Sequence, residues 1–469
     1  MSEAIGEMIL PGTYIEVRAE GLIGVGGIST GNIGVVGTAN RGPVDTVVIL
    51  GSYAEALDTF GSYDRWPGTQ AAPALTLTRT LEQIFKGGGS TIYAVRVANV
   101  SNGPMKAASW LVQDATDTLV TLRATSPGTW ANPIAVTVDT AADPKTLTLV
   151  YGRSKETVPF TNAGDLAAAV NDGSRFVTAT VETGAAAKVP TKITVGDQGG
   201  PDGNGAGTTE LAAGLAKLAT EDVSIVAAGG FDAKTAAATM LAHLEATEND
   251  GRERIAVIGA SSDEVPKIAS DDVSKGSNPR LVLVAPGIVA DDAARTEANK
   301  QVKLPAAYAA ALVAGRMATL APHISLTNKD VAADDVTTGY TRAQQKQLLN
   351  NRLLVLQKNL GIRVLKGITT DTGAFKQISV RRIVDYAKKG VRLGSNPYIG
   401  RLNNGRVRAA LKATLDGFLS GMVLDEMLIA YTLDVTATRA QEINGIALVT
   451  MTLQPTFSID FVKVIMTLS

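Results

Sequence analysis

Cysteine is absent from this sequence of 469 residues, and histidine occurs only twice. Without thiols the chain has no disulfide, no thiolate metal ligand and no cysteine nucleophile, so its stability must come from burial and assembly. His243 and His323 have no second ligand or nucleophile at a recognisable spacing, and both are interpreted as structural. The sequence predicts no catalytic residue, no metal site and no cofactor.

The sequence also lacks a charge excess and a long apolar run. It has 44 basic and 45 acidic residues, so no overall field favours nucleic acid or an anionic membrane. No apolar run reaches the roughly 18 uncharged residues of a membrane span, and the opening MSEAIGEMIL is acidic where a signal peptide is basic. We expect cytoplasmic synthesis, with no membrane insertion, no direct nucleic-acid contact and no small-molecule substrate.

Motifs for known chemistry are equally scarce. A Walker A loop needs a Gly-Lys dipeptide, which does not occur. A G-x-S-x-G match at residues 27–31 precedes a predicted strand, whereas a nucleophile elbow precedes a helix, so a flexible hinge is the preferred interpretation. The run at 199–205 has only two side-chain oxygens for calcium and is interpreted as a turn between domains. Adjacent acids such as Asp291-Asp292 are interpreted as helix caps.

Hydrophobic periodicity divides the chain into distinct regions. Strands and helices alternate from residue 32 and again after residue 206, while residues 101–205 hold short alternating runs typical of a mostly-β domain inserted into an α/β domain. Leucines at 349, 353, 356 and 360 predict a helix from Thr341 to Asn359, and a second apolar stripe predicts one from Arg406 to Leu419. The final apolar run, SIDFVKVIMTLS, predicts a strand that needs a partner sheet.

The predicted organisation has six parts. They are an N-terminal arm (1–31), the first part of the α/β core (32–100), the inserted β domain (101–205), the second part of the core (206–325), a C-terminal domain (326–455) and a C-terminal arm strand (456–469).

Opposite charges are concentrated in two blocks. Residues 376–412 contain ten Lys or Arg and one acid, and residues 202–297 contain sixteen acids and eight Lys or Arg. Arg401, Arg408 and Lys412 fall near one helical face. A solvated face is one interpretation, and contacts between neighbouring copies are the other.

Several segments, in order along the chain, resemble contractile-tail sheath proteins of myovirus-like bacteriophages and related injection systems. They are PGTYIEV, GVVGTANRGPVDTVVILGSYAEALDTFG, FKGGGSTIYAVRV, QGGPDG and QLLNNRLLVLQKNLGIRVLKGITTDTGAFKQISVRRIVDY. The resemblance implies a split, subtilisin-like α/β core domain without the catalytic triad, an inserted mostly-β domain on the outside and a C-terminal α+β domain facing the tail tube. It also implies a structural protein rather than an enzyme.

The family's assembly implies partners and site residues. Subunits stack as six-fold rings in a helical homo-oligomer around the tail tube protein, with baseplate and tail terminator proteins at the ends. Extended terminal arms lend strands to neighbouring sheets, which suits the apolar residues Tyr14, Ile15, Val17, Ile459, Phe461, Val462 and Val464. Gly24, Gly26 and Gly27 would form a hinge, and Arg401, Arg408 and Lys412 would face the tube.

Two other classes of protein stay open at this stage. One is another phage structural protein, such as a tube or capsid subunit, and the other is a subtilisin-like hydrolase with Ser, His and Asp in contact. The resemblance favours assembly in a host cytoplasm followed by residence in a virion tail, a bacteriocin or an injection particle.

Overall fold

The computed structural model describes residues 27–67, 75–101, 103–203 and 205–467. The strands are β1 (Ile33–Gly37), β2 (Val47–Leu50), β3 (Ile92–Arg96), β4 (Ser109–Gln113), β5 (Thr118–Ala124), β6 (Ala135–Asp139), β7 (Lys145–Tyr151), β8 (Ser154–Phe160), β9 (Val177–Val181), β10 (Lys192–Val195), β11 (Ile225–Asp232), β12 (Ile255–Gly259), β13 (Leu281–Ala285), β14 (Ile288–Asp291), β15 (Gln301–Leu304), β16 (Asp330–Val331), β17 (Asp335–Val336), β18 (Leu354–Lys358), β19 (Ile362–Val364), β20 (Leu428–Thr436) and β21 (Leu448–Pro455). The helices are α1 (Tyr53–Phe60), α2 (Leu77–Lys86), α3 (Ala163–Gly173), α4 (Thr208–Leu218), α5 (Ala233–Asn249), α6 (Val265–Ser270), α7 (Asp272–Lys275), α8 (Ala306–Ala318), α9 (Arg342–Asn350), α10 (Ile378–Ser395), α11 (Gly405–Leu424) and α12 (Arg439–Ile443).

A large mixed sheet forms the centre of the molecule. Within the described residues it has nine strands in the order β16-β19-β18-β13-β12-β11-β1-β3-β2. Its central strands, from β18 across to β3, are parallel, and the pairs at its edges are antiparallel. Strands from both sides of residues 101–205 therefore meet in one sheet, with β1 pairing to both β3 and β11.

Helices cover both faces of this sheet, which explains why its strands are apolar throughout. In β1, Ile33 and Val35 belong to the core that contains α2 and α8, while Val36 belongs to the opposite core with α4 and α5. The close packing of α2 against α8 depends on glycine. A Cβ on Gly315 would lie 2.1 Å from the carbonyl oxygen of Ile84, a separation that atoms cannot adopt.

The residues between β3 and α4 form their own sheets and core. One sheet has the order β10-β4-β5-β9 and another has the order β6-β7-β8, with α3 packed against strands of both. Trp110, Leu122 and Phe160 are among the buried residues of this core. The segment joins the large sheet through Arg96, which is fully buried and donates to the carbonyl oxygens of Gly42 and Pro127 at 2.8 and 3.0 Å.

The described residues 199–203 of the predicted turn lie at this junction. The Asp202 carboxylate accepts hydrogen bonds from the backbone N–H and hydroxyl of Thr129 at 2.6 and 2.7 Å. Its side-chain oxygens therefore have protein partners in the folded chain. The turn joins the β-rich segment to the sheet, which is the role that its sequence predicts.

The C-terminal part consists of α10, α11 and the β20–β21 hairpin. Apolar residues of both helices and the hairpin form two small cores, which include Ile383, Leu415, Phe418 and Leu419. The predicted stripe on α11 is thus on its packed side, although the helix runs five residues beyond the predicted end, from Leu419 to Leu424.

The predicted helix from Thr341 to Asn359 is wrong in its second half. Helix α9 ends at Asn350, Arg352 adopts a positive φ of 62°, and Leu354–Lys358 is strand β18 beside β13. A short apolar run fits both a buried strand and a helix stripe, and the sheet decides between them. The large sheet consequently continues to residue 364, so the predicted boundary at 326 falls inside it.

The interpretation of Asp291-Asp292 as a helix cap is also wrong. Asp292 is fully buried, lies 3.5 Å from the guanidinium of Arg79 and accepts a 2.7 Å hydrogen bond from the backbone N–H of Trp66. Arg79 itself lies over the Tyr63 ring at 3.9 Å. This buried pair joins α2 to the segment after β14, a contact between residues far apart in sequence.

Candidate assembly surfaces

The histidines offer no catalytic arrangement in the part of the chain that the structure describes. His243 lies on α5 with its Nε2 2.8 Å from the guanidinium of Arg254. Burial, together with the arginine charge, lowers the pKa of His243 to about 4. In the G-x-S-x-G match, the Ser29 hydroxyl donates to Asn32 rather than to a base, and strand β1 follows. The described residues also contain no group of three or more His, Cys, Asp or Glu suited to a metal ion.

No helix among the described residues is long and apolar enough to cross a membrane.

The β20–β21 hairpin is the first candidate assembly surface. Its strands pair antiparallel from Leu428–Pro455 to Thr436–Leu448, and within the described residues neither strand has a second strand partner. One face packs on α10 and α11 through residues such as Leu433. The outer edge of each strand therefore leaves backbone N–H and C=O groups without a ladder, which makes the hairpin a template for another strand.

The C-terminal segment after the hairpin is the second candidate surface. Residues 456–467 form no strand in their own subunit although the run is apolar, and the predicted arm strand, which needs a partner sheet, stays a prediction. Ile459, Phe461, Val462 and Val464 are between 72% and 83% exposed, and Ile465 and Met466 are similarly exposed. Burying six such side chains would contribute on the order of 10 kcal/mol before the entropy of association. An isolated subunit does not gain this free energy, because these side chains stay in contact with water.

The predicted N-terminal arm lies largely outside the described residues. That holds for Tyr14, Ile15 and Val17 and for two of the predicted hinge glycines, Gly24 and Gly26. Gly27 is described and adopts a φ of 77°, in the region that favours glycine. The hinge stays a prediction.

Just after Gly27, the chain enters a cleft of about 340 Å³ between the large sheet and α10. Charged residues line this cleft, among them Asp222, Glu253, Lys389 and Arg392.

Two of the three tube-facing candidates lie on α11 and have acidic partners in their own subunit. Arg408 donates to Glu442 at 3.0 Å, and Lys412 lies 3.3 Å from Asp434 on β20. Arg401 instead stacks over the Tyr398 ring, with its guanidinium carbon 5.4 Å from the ring centre. Arg401 therefore has the charge most available to another protein, while Arg408 and Lys412 also hold α11 to the hairpin region.

Exposed apolar side chains surround Arg401. Ile399 and Leu402 flank it in sequence, Ile443 ends α12 and Ile446 lies in the loop that follows; all four are exposed. A hydrogen bond of 2.9 Å from Asn403 to the carbonyl oxygen of Ile446 joins the two loops. We call this group of residues, Ile399–Asn403 with Ile443 and Ile446, the C-terminal tip.

The two charge blocks meet within one subunit. Arg280, only 3% exposed, makes paired hydrogen bonds of 2.6 to 3.0 Å with Glu248 of α5 and Asp385 of α10. Further contacts between α10 and the core are Lys388–Glu248, Lys388–Glu253, Arg392–Glu253 and Lys389–Asp222, while Arg381 pairs with Asp385 within α10. The interpretation of these blocks as contacts between copies is therefore wrong for these residues, because they bind α10 to the core. We call this set the α10 ion cluster.

The carboxylates of the α10 ion cluster have strongly shifted pKa values. Hydrogen bonds from Arg280 and then Lys388 lower the pKa of Glu248 to about 2. Burial alone would raise the pKa of Glu253, but hydrogen bonds from Arg392 and Lys388 outweigh it and lower the value to about 2. Both groups stay charged down to strongly acid pH, so the cluster persists across the physiological range.

The sequence did not indicate that Arg280 and Arg382 connect elements that are far apart along the chain. Arg382, almost fully buried, donates to the carbonyl oxygens of Leu320 at 2.9 Å and Thr30 at 3.3 Å, which ties α10 to the end of α8 and to the N-terminal segment. The charge blocks were a visible signal, but a sequence does not tell which opposite charges meet.

The sequence of this chain matches two domains of one known protein family. The phage tail sheath protein central domain matches residues 204–370, and the phage tail sheath C-terminal domain matches residues 370–469. The tail sheath protein of Bacillus phage SP01 is 26% identical over 216 residues, which are 43% of this chain and 36% of that protein. The chain thus spans about a third of the length of this curated relative.

Two solved structures share the fold over nearly the whole chain. The sheath tail protein of Listeria innocua has a TM-score of 0.67 at 14% identity, covering 92% of this chain and 93% of its own. The helical sheath of the anti-feeding prophage in its contracted state has a TM-score of 0.56 at 14% identity, covering 98% of this chain and 99% of its own. Because the two sheath domains together match the continuous span from 204 to 469, more than half of the chain, this protein belongs to the phage tail sheath family.

Proposed function

We propose that this chain is the structural sheath subunit of a contractile tail or injection particle. It polymerises as stacked six-fold rings around a tail tube, joined by exchanged terminal strands, and its contraction drives the tube through the target envelope. The observation that carries the proposal is the exposed apolar segment at 459–466, which follows a hairpin with open edges in the same subunit. Segment and hairpin are the donor and the acceptor that strand exchange requires.

The isolated subunit has hairpin edges without backbone partners and apolar side chains in water, and strand exchange would remove both unfavourable features. A donated segment gains backbone hydrogen bonds along a hairpin edge, and its apolar side chains leave water. Each subunit has both a donor and an acceptor, so exchange with one neighbour leaves groups free for the next. Heterologous contacts of this kind continue into rings or helices rather than ending at a dimer.

Contraction would draw its free energy from the lattice. The proposed sheath assembles in an extended state and later reaches a more buried one, while the exchanged strands stay paired as tethers. A contracted helical sheath that aligns with 98% of this chain supports a subunit able to occupy such a lattice. In this proposal the chain is not an enzyme and needs no cofactor.

The division of labour among the domains is part of the proposal. The α/β core, split by residues 101–205, is a subtilisin-like domain without a catalytic triad, and the inserted β domain lies on the outside. The separate core of that inserted segment supports this arrangement. The partners are further copies of the chain, the tube protein, and baseplate and tail terminator proteins. Assembly takes place in the host cytoplasm and the product is a virion tail, a bacteriocin or an injection particle.

Cross-linking should capture the exchanged strands directly. The chain has no cysteine, so a pair of introduced cysteines reports one contact without background. We expect Val464→Cys, combined in turn with a cysteine at each exposed hairpin position (430, 432, 434, 450, 452 and 454), to give ladders of covalent oligomers in assembled protein. The measurement is non-reducing gel electrophoresis. Val464→Cys with Arg153→Cys on the inserted segment is the matched control. A ladder no stronger than that control at all six positions would contradict strand exchange onto this hairpin.

The C-terminal tip is the proposed tube-facing surface. Changing Arg401, Arg408 and Lys412 together to Glu should abolish sheath formation on tubes at low salt, because the repulsion is repeated in every subunit of a ring. Since Arg408 and Lys412 also have internal partners, Arg401→Glu alone is the sharper variant and should weaken assembly on tubes with little change in Tm. Lys192→Glu, an exposed change on the inserted segment, is the control. Normal coating of tubes by the Arg401 variant would place its charge in another contact or in solvent.

A further inference from the structure

The C-terminal segment is not free along its whole length. After β21 it returns toward the start of α10, where Ser458 and Gln377 exchange hydrogen bonds. The Ser458 N–H donates to Gln377 Oε1 at 3.2 Å, and Gln377 Nε2 donates back to the carbonyl oxygen of Ser458 at 3.4 Å. The first residues after the hairpin are therefore held against their own subunit.

Asp460 is the end of this attached part. Its side chain is 11% exposed, whereas its neighbours Ile459 and Phe461 are 82% and 83% exposed. Its carboxylate lies 3.2 Å from Lys366 Nζ and accepts hydrogen bonds from Gln377 Nε2 at 3.1 Å and from the Thr327 hydroxyl at 3.3 Å. One acidic side chain in an otherwise exposed apolar run is thus enclosed by three donors from other parts of the chain, and the hydroxyl of nearby Ser458 adds a longer contact at 3.5 Å.

These donors come from three separate parts of the chain. Thr327 lies in the loop between α8 and β16, Lys366 follows β19, the second strand from the edge of the large sheet, and Gln377 is the residue before α10. The Thr327 hydroxyl also accepts the N–H of Gly367 at 3.1 Å, which holds the first two loops together. The socket consequently lies where the large sheet joins the C-terminal helices, five residues beyond the end of β21 at Pro455.

Chemistry explains why the attachment stops at this residue. A carboxylate that faces a cation and neutral donors is held by charge-assisted contacts, here at 3.1 to 3.3 Å. The residues that follow, apart from Lys463, offer apolar or hydroxyl side chains, and all of those described are exposed up to residue 467. Lys366 Nζ also lies 4.9 Å from the centre of the Phe461 ring, a final contact at the exit from the socket.

We propose that Asp460 anchors the C-terminal arm: the socket of Thr327, Lys366 and Gln377 fixes the root of the arm, and residues after 460 are the part that a second copy of this chain captures. This inference rests on the proposed strand exchange. The anchor sets the point and direction from which the arm leaves. When a neighbouring copy pulls on the captured arm, the force acts on the edge region of the large sheet and on the start of α10. The hairpin, which itself receives a neighbour's strand, does not carry that force.

The anchor is tested on the unpolymerised subunit, where no exchange takes place. A spin label on Ile459→Cys reports the root, and the same label on Val464→Cys reports the free arm. In the parent protein we expect the label at 459 to be the less mobile of the two by electron paramagnetic resonance. Asp460→Ala should bring the mobility at 459 up to that at 464 and leave 464 unchanged. Lys463→Ala, which alters the charge of the arm outside the socket, should change neither.

A second variant separates charge from packing. Asp460→Asn keeps an oxygen for Thr327 and Gln377 but loses the ion pair, so its label at 459 should have intermediate mobility. If Asp460→Ala leaves the label at 459 as immobile as in the parent, the anchor is overturned.

Assembly gives an independent readout of the anchor. We expect polymers of Asp460→Ala to break at least severalfold faster under shear than those of Lys463→Ala, because their arms pull on an unfixed root. Equal breakage of the two variants would show that Asp460 does not transmit force from the arm. Normal polymers from subunits lacking residues 462–469 would instead contradict strand exchange itself, and the label measurement decides the anchor in that case too.

Discussion

Removing residues 462–469 is expected to abolish sheath polymers while leaving the folded subunit intact. The described part of this segment makes no strand in its own subunit and its side chains are exposed, so little of the subunit's stability depends on it. A neighbour, in contrast, would lose a whole strand with its backbone hydrogen bonds and apolar burial. Sedimentation and negative-stain imaging measure the polymers, and the Tm of the subunit should change by no more than about 2 °C for a free-energy change within 0.5 kcal/mol.

Two substitutions at one position give a matched test of the backbone's role. Val464→Pro removes an N–H and cannot continue a β ladder, whereas Val464→Thr keeps a β-branched side chain and the N–H. The proline variant should assemble poorly and the threonine variant nearly normally. Equal assembly of the two, or long polymers from the truncated chain, would show that the segment is not donated as a strand.

Replacing Arg280 with methionine is expected to lower the free energy of unfolding by about 3 to 5 kcal/mol, the usual cost of removing one partner from a buried ion pair. Arg280 is 3% exposed and holds two carboxylates, Glu248 and Asp385, that stay in place after the change. Burial alone would lower the pKa of Arg280, but its hydrogen bonds to both carboxylates raise it, so the arginine is charged at all accessible pH values. Urea unfolding of the subunit measures the loss.

Lys412→Met is the matched control for the arginine variant. It also removes a cation near an acid, but the Lys412–Asp434 pair is about half exposed, with side-chain exposures of 47% and 62%. Such surface pairs contribute about 0.2 to 1 kcal/mol. If both variants lose the same small amount, the α10 ion cluster does not hold the C-terminal helices to the core.

Acid provides a second readout of the Arg280 variant. The pKa of Glu248 is about 2 in the folded chain against an ordinary 4.5, so the unfolded chain binds more protons between these values. The contribution of Glu248 to stability is therefore complete above pH 4.5 and is lost as the pH falls through 2. Arg280 is the main cause of this shift, so the variant should lose less of its remaining stability across that window than the parent does. An identical acid dependence in both proteins would contradict this assignment.

Local patterns in the sequence were enough for much of the fold. Helix α1 (Tyr53–Phe60), for example, is bounded by local signals, because Ser52 caps its start and Gly61 ends it with a positive φ. The alternation of helices and apolar strands predicted an α/β architecture with a β-rich interruption, since strands covered on both faces must be apolar throughout. The sequence also indicated that the terminal apolar run needs a partner, because its own neighbours in sequence do not provide one.

Contacts between distant residues were decided only by the tertiary structure. The leucines of residues 349–360 fit a helix until β13 is seen to pair with Leu354 and Val355. The two charge blocks fit contacts between copies until α10 is seen to lie against the core. The socket of Asp460 joins residues 83, 94 and 133 positions away. Sequence patterns report what each residue needs, a buried face or an opposite charge, whereas the path of the chain in space determines which residue meets that need.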